Sequence, residues 1–194
     1  MTLDLRAATP GDVPAVARVY DHYVATSTAT FELEPPGEEP WRVKLDAVTA
    51  AGWPFLVATL DGQVVGFAYV APWRPRPAYA HTVEDTIYLD PAATGRGVGG
   101  RLLAAVLEQA ATAGAREVVA VVADGDTAAS LALHRRAGFE VAGRLERVGR
   151  KFDRWLGTTL LQLSLHDDPP AAAVDDVPVT GTPRGPARPT EEHP

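Results

Sequence analysis

The chain contains no cysteine, which excludes disulfides, thiolate metal sites and a cysteine nucleophile. Its five histidines show no H-E-x-x-H spacing, so no metal site is expected. No serine lies in a G-x-S-x-G elbow, and no nucleophile triad is indicated. No apolar run is long enough to span a bilayer, and Met1-Thr2-Leu3-Asp4-Leu5-Arg6 is not a basic and apolar leader. Positive charge is scarce: 18 Lys and Arg against 25 Asp and Glu leave a net charge of -7. That balance argues against general nucleic-acid or anionic-membrane binding, which needs a basic face. A soluble cytoplasmic protein is the expectation.

What is present is enough for one substantial core, since 46% of the 194 residues are hydrophobic. Residues 1–166 read as one folded domain. Residues 167–194 read as a disordered tail: seven of the 17 prolines fall there, with no aromatic residue and no lysine. Such a composition buries too little apolar area to offset its ordering entropy.

Leu3 to Ala7 predicts a first strand. Thr9-Pro10-Gly11-Asp12 then reads as a helix start, with Thr9 as N-cap, Pro10 at the first helical position and Asp12 in the first turn. Val13, Val16, Tyr20, Tyr23 and Val24 recur at helical spacing and predict one buried stripe. A second helix is expected over Trp41 to Ala51. Two apolar runs, Phe55 to Leu60 and Gln63 to Val70, flank Asp61-Gly62, a two-residue hairpin signal.

A strand at Val83 to Leu89 follows, then a helix from Gly97 to Ala113 stopped by Gly114. Arg116 to Ala123 is rich in β-branched residues and predicts a strand buried on both faces. A helix over Thr127 to Ala137, ended by Gly138, and strands near Phe139 to Leu145 and Leu160 to Leu165 complete the pattern. Hairpins followed by β-α-β-α imply an α/β (α+β) domain: a mixed sheet of six to seven strands with helices on both faces.

The chemistry concentrates in residues 83–103. A strand carrying Glu84 leads into Thr94-Gly95-Arg96-Gly97-Val98-Gly99-Gly100 and then a helix. Free backbone amides and the helix dipole at such a junction suit a phosphate. The run satisfies G-x-G-x-x-G, but a helix, a hairpin and a strand precede it, whereas a dinucleotide-binding unit opens with that motif.

The stretch Thr94 to Leu103 instead resembles the acyl-CoA loop of the Gcn5-related N-acetyltransferases, the GNAT family, and Gly138-Phe139 fits that family too. Within it, the chain is similar to the group acetylating phosphinothricin and methionine sulfoximine. The motifs concerned are residues 26–32, Pro72-Trp73-Arg74-Pro75-Arg76, Tyr79, Thr82-Val83-Glu84, residues 133–139 and Gly149 to Trp155. The resemblance implies the GNAT fold, acetyl-CoA as cosubstrate, a small-molecule amine as acceptor and a homodimer. By it, Gly95, Arg96, Gly97, Val98, Gly99 and Gly100 hold the pyrophosphate, and Ile87, Tyr88 and Leu89 pair with the pantetheine arm. The family usually has Gln or Arg at Thr94, which leaves Arg96 to take that contact. Its pantetheine asparagine falls on Thr127, and relatives carry an aspartate where this chain has Gly157.

An amine must be neutral to attack a thioester, so a base is required. Glu84 is the candidate, on a strand whose apolar neighbours would raise its pKa by desolvation; an ordinary solvent-facing glutamate has the same spacing. The resemblance places His134 on the helix facing the thioester sulfur, to hydrogen-bond or protonate it. Arg74, Pro75, Arg76, Tyr79 and Phe31 are the expected substrate contacts, since arginine forks suit carboxylate and phosphinate oxygens. Asp85 and Thr86 are expected to complete the amine side. Three other readings stay open: a GNAT acting on another amine, an acyl-CoA-binding module without activity, and a dinucleotide oxidoreductase.

Overall fold

The computed structural model describes residues 2–125 and 127–166. The segment 167–194, expected to be a tail, lies outside the described residues, as does Asp126. The elements in chain order are β1 (Leu3–Ala7), α1 (Val13–Thr26), α2 (Glu38–Ala50), β2 (Phe55–Leu60), β3 (Gln63–Pro72), β4 (Thr82–Leu89), α3 (Val98–Thr112), β5 (Glu117–Ala123), α4 (Ala128–Arg136), β6 (Glu140–Lys151) and β7 (Arg154–Ser164).

The start of α1 follows from local chemistry. Thr9 and Asp12 form a capping box around a 3-10 turn that begins with Pro10. Arg6 of β1 then donates two hydrogen bonds to Asp12, at 2.7 and 2.8 Å, and ties the turn to the sheet. The β2–β3 hairpin turns on Asp61 and Gly62, both at positive φ, as a tight two-residue connection demands.

The seven strands form one sheet in the order β1-β2-β3-β4-β5-β7-β6. All neighbouring pairs are antiparallel except β4 and β5, which run parallel and carry α3 in their crossover. Helix α3 packs Leu102, Leu103, Val106 and Ala110 onto one face, against Leu56, Ala68, Val70, Val83 and Val118. On the other face α1 and α2 bring Val13, Val16, Trp41 and Leu45 against Phe55, Val57, Phe67 and Tyr69. Strand β2 lies between both layers and is buried throughout.

Two expectations are corrected. Strand β5 is not buried on both faces: Val118, Ala120 and Val122 are buried, but Val121 is 39% exposed. Helices α1 and α2 cover β2 to β4 and leave that face of β5 open. Strands β6 and β7 are also much longer than expected, because they meet in a tight hairpin at Phe152 and Asp153. Both turn residues have positive φ, at 49° and 57°, without the Asn-Gly signal that marks such turns.

Candidate active site

Strands β4 and β5 are paired only from Thr82↔Glu117 to Glu84↔Val119. Beyond that pair they part, although β4 continues to Leu89 and β5 to Ala123. A cavity of about 720 Å³ occupies the opening and passes from one face of the sheet to the other. The period-2 alternation of β4 decides which side chains serve each half. Glu84, Thr86 and Tyr88 share the α1–α2 face with their cross-strand partners Ala71, Tyr69 and Phe67. Val83, Asp85, Ile87 and Leu89 share the α3 face.

On the α3 face the cavity ends at the glycine loop. Gly95 and Gly97 have φ of 72° and 77°, a left-handed backbone that only glycine adopts without strain. Gly97 is the N-cap of α3, so no side chain caps the helix and its first amides stay free to receive an anion. A Cβ at Gly100 would meet no atom within 4 Å and would project into the open space, whereas one at Gly99 would press on Leu89 at 3.1 Å. Gly99 therefore permits packing and Gly100 permits close approach of a ligand. The loop is anchored by Arg18 of α1, which donates to Asp90 at 2.8 Å.

Of the residues expected to hold acetyl-CoA, Ile87, Tyr88, Leu89, Gly95, Gly97, Gly99, Gly100 and Thr127 line the cavity; Arg96 and Val98 do not. Val98 is buried beneath the loop, and Arg96 is exposed. Arg136 of α4 is the arginine on the cavity wall. Thr94 lines the cavity but turns its hydroxyl onto the Pro91 carbonyl at 2.8 Å. Thr127 gives its hydroxyl proton to the Ala123 carbonyl at 2.5 Å. The Leu89 carbonyl accepts from the Tyr23 hydroxyl at 2.7 Å, so this acceptor already has a partner.

On the α1–α2 face, Tyr20, Ala29, Thr30, Phe31, Trp41, Tyr69, Glu84 and Thr86 enclose the other half. Burial raises the Glu84 pKa; the neighbouring Asp85 charge adds to this, while Arg74 and Lys44 oppose it. The segment 27–31 is held in place by hydrogen bonds from three elements. Tyr88 donates to the Ala29 carbonyl at 2.9 Å, Thr28 to the Asp124 carbonyl at 2.5 Å, and Lys151 to the Thr30 carbonyl at 3.0 Å. The Phe31 ring packs on Gly149, where an added Cβ would collide with it. Gly157 is likewise sterically fixed, since a Cβ there would meet the Leu145 carbonyl at 2.5 Å. This backbone has no room for the relatives' aspartate.

Arg74, Pro75, Arg76 and Tyr79 are not among the cavity-lining residues. They sit on an exposed loop between β3 and β4, with Arg74 stacked on Trp73 at 4.5 Å. The charge of Arg74 nonetheless reaches Glu84. Asp85 also departs from expectation. Its side chain lies on the α3 face, away from Glu84's, and is bonded to His134 Nε2 at 3.0 Å. His134 Nδ1 in turn meets the Ser130 carbonyl at 2.8 Å. Both ring nitrogens thus have protein partners, and no free N–H remains for a thioester sulfur.

An opened parallel strand pair with an uncapped helix terminus at one end and a partly buried carboxylate at the other defines, with the likenesses below, an acetyl-CoA-dependent N-acetyltransferase. The chain belongs to the acetyltransferase (GNAT) family, whose signature matches residues 16–139. It is 42% identical over 162 residues to phosphinothricin N-acetyltransferase of Alcaligenes faecalis, covering 84% of this chain and 82% of that one. It is 37% identical over 174 residues to the L-methionine sulfoximine/L-methionine sulfone acetyltransferase of Pseudomonas aeruginosa, covering 89% and 99%. The fold matches an acetyltransferase from Salmonella typhimurium solved with its cofactor acetyl-CoA. There the TM-score is 0.83 at 32% identity, covering 89% of this chain and 99% of that one.

Sequence reasoning missed Tyr20, Trp41, Tyr69, Ser130 and Arg136 as cavity residues. Tyr20 and Trp41 carry a detectable signal, an aromatic on each of two adjacent helices, but apolar helix positions read first as core. Tyr69 stands opposite Thr86 in the β3–β4 ladder, a position fixed only by register.

Proposed function

We propose that the enzyme transfers acetyl from acetyl-CoA to the α-amino group of a small amino-acid analogue such as phosphinothricin or methionine sulfoximine. The observation that carries this reading is the position of Glu84, at the narrow end of the strand opening and in the same cavity as the glycine loop. Bound acetyl-CoA supplies the acyl group as a thioester. The amides of residues 97–100 hold its pyrophosphate at the positive end of α3.

The acceptor enters from the α1–α2 face, against Phe31, Tyr69 and Thr86. Glu84, in its ionised form, takes the proton that an ammonium must lose before its nitrogen has a lone pair. Burial keeps that carboxylate's proton affinity above the usual value, which brings it closer to the amine it must deprotonate. Transfer is direct, in a ternary complex, with no acyl-enzyme. Arg74 and Arg76 bind the acceptor's anionic headgroup at the cavity mouth, a reading supported by the reach of the Arg74 charge to Glu84. The protein acts as a homodimer through the exposed β6 edge.

A thiol-release screen tests the acceptor class, using phosphinothricin, methionine sulfoximine, methionine sulfone, ordinary amino acids and peptides. Turnover confined to the tetrahedral-headgroup analogues supports the proposal; activity on peptides alone rejects it. Glu84→Gln is expected to lower kcat by about 10²–10⁴-fold with acetyl-CoA affinity retained. In the unsubstituted enzyme kcat/KM should fall as the pH drops through the raised Glu84 pKa. Arg74→Ala and Arg76→Ala should raise the acceptor KM by roughly tenfold or more and leave acetyl-CoA binding alone. An unchanged KM removes the two arginines from the site.

A further inference from the structure

His134 sits in the cavity wall on the coenzyme side, and its surroundings restrict its protonation state more than its position does. Its side chain is 4% exposed and that of Asp85 is 1% exposed. A backbone carbonyl can only accept, so Nδ1, 2.8 Å from the Ser130 oxygen, carries a hydrogen. With Asp85 as a carboxylate, which also only accepts, Nε2, 3.0 Å from its Oδ2, carries the second. The other Asp85 oxygen has no hydrogen-bond partner among the described residues, so the carboxylate spends its charge on this one ring. The Phe139 ring closes a further side edge-on at 5.1 Å, and the Ser130 hydroxyl lies 3.4 Å from Nδ1.

We infer that Asp85 is a positioning residue that holds His134 as a doubly hydrogen-bonded imidazolium, a fixed positive charge facing the departing thiolate. This rests on the acetyl-transfer reading above. As the amine nitrogen bonds to the carbonyl carbon, the C–S bond breaks and sulfur leaves with the bonding pair. Glu84 has by then taken the ammonium proton; the second nitrogen proton, released as the amide forms, passes through solvent to the departed thiolate, and His134 keeps both of its own. A thiolate whose conjugate acid has a pKa of about 8.5 needs no proton to depart, only stabilisation of its charge.

Asp85 is the charged group bonded to the ring; Glu84, one residue earlier on β4, has its side chain on the other face of the sheet, and Arg136, two residues further along α4, lines the same cavity. Burial pushes the imidazole toward its neutral form, and the Asp85 bond and charge with the Ser130 carbonyl outweigh it, for a net rise. Helix α4 also lies against the glycine loop: a Cβ at Gly99 would come within 3.6 Å of Leu133, the residue before His134. The charge is thus carried by the segment that borders the coenzyme end of the cavity.

Imidazole nitrogen NMR on the full chain tests this, with the His134 signal assigned by its loss in His134→Gln. In the unsubstituted protein at pH 7, both His134 nitrogens should appear protonated; a single neutral tautomer overturns the proposal without any variant. In Asp85→Asn the His134 titration should move down by more than one pH unit, and kcat should fall roughly tenfold with acetyl-CoA affinity within about twofold. Asp85→Asn added to His134→Gln should cost nothing further, because the two act as one unit. Additive losses, or an unmoved His134 titration in Asp85→Asn, also overturn it. These readouts do not depend on Glu84: a fully active Glu84→Gln would sink the base assignment and leave the His134 protonation state measurable.

Discussion

Asp12 shows how one side chain couples the sheet to the first helix. It accepts two bonds from Arg6, one from the Thr9 amide and one from the Thr9 hydroxyl. The Arg6 bonds lead in holding its pKa down, to about 2, against the opposing effect of burial. A depressed carboxylate contributes stability that is complete above its unfolded pKa of about 3.9 and is lost as the pH falls toward 2. Arg6 is 39% exposed, so solvent screening reduces the full linkage value. Asp12→Asn should therefore cost about 1–2 kcal/mol at pH 7. Urea unfolding at pH 7 and pH 2.5 checks this: the gap between the two proteins should shrink by roughly two-thirds at the lower pH. A gap that persists would mean the stabilisation is not ionic. Glu84 is shifted the opposite way because burial dominates there.

At the scale of elements, the β4–loop–α3 unit builds the end of the cavity proposed to take the coenzyme, and it was the most readable part of the sequence. Glycines at 95, 97, 99 and 100 between a β-branched strand and an apolar helical stripe leave few other structures. The parting of β4 and β5 was not readable, because a strand that loses its partner midway keeps the same composition as one that does not. That opening explains why Val121 is exposed, and why Glu84 and Asp85, adjacent in sequence, serve opposite halves of one cavity. The Asp85–His134 contact escaped detection for the same reason: it spans 49 residues and depends on which face of β4 each side chain takes. The free space over Gly100 gives the unit a clean test. A Cβ at Gly100 meets no atom within 4 Å, and valine forms helix more readily than glycine, so the fold should tolerate Gly100→Val. Acetyl-CoA affinity should drop by about tenfold or more, since a branched side chain at the start of α3 blocks close approach to its amides. Calorimetric titration with acetyl-CoA, alongside thermal unfolding, separates the two effects. Unchanged affinity would place the pyrophosphate elsewhere.

At the scale of the molecule, the described residues leave one end of the sheet uncovered. Strand β6 is an edge with twelve residues, and Val141, Leu145 and Val148 on it are 47–52% exposed. Phe152 in the turn and Trp155 on β7 are exposed as well, and Arg147 covers the Trp155 ring at 5.5 Å. A long apolar edge of this kind invites pairing with another chain unless something covers it. On the same strand, Gly149 lies under Phe31 and Lys151 holds the Thr30 carbonyl, so the cavity wall proposed to take the acceptor rests on the edge strand itself. A second copy seated there would cover the apolar residues and stiffen that wall together. Sedimentation at micromolar concentration should find a dimer. Val148→Lys combined with Trp155→Glu should shift it to monomer, because two buried charges in an apolar seam cost several kcal/mol. The monomer should keep its acetyl-CoA affinity, whose residues lie at the far end of the cavity, and show a raised acceptor KM. A monomeric parent protein would rule out the dimer, and an unchanged acceptor KM in the monomeric variant would show that the wall needs no second copy.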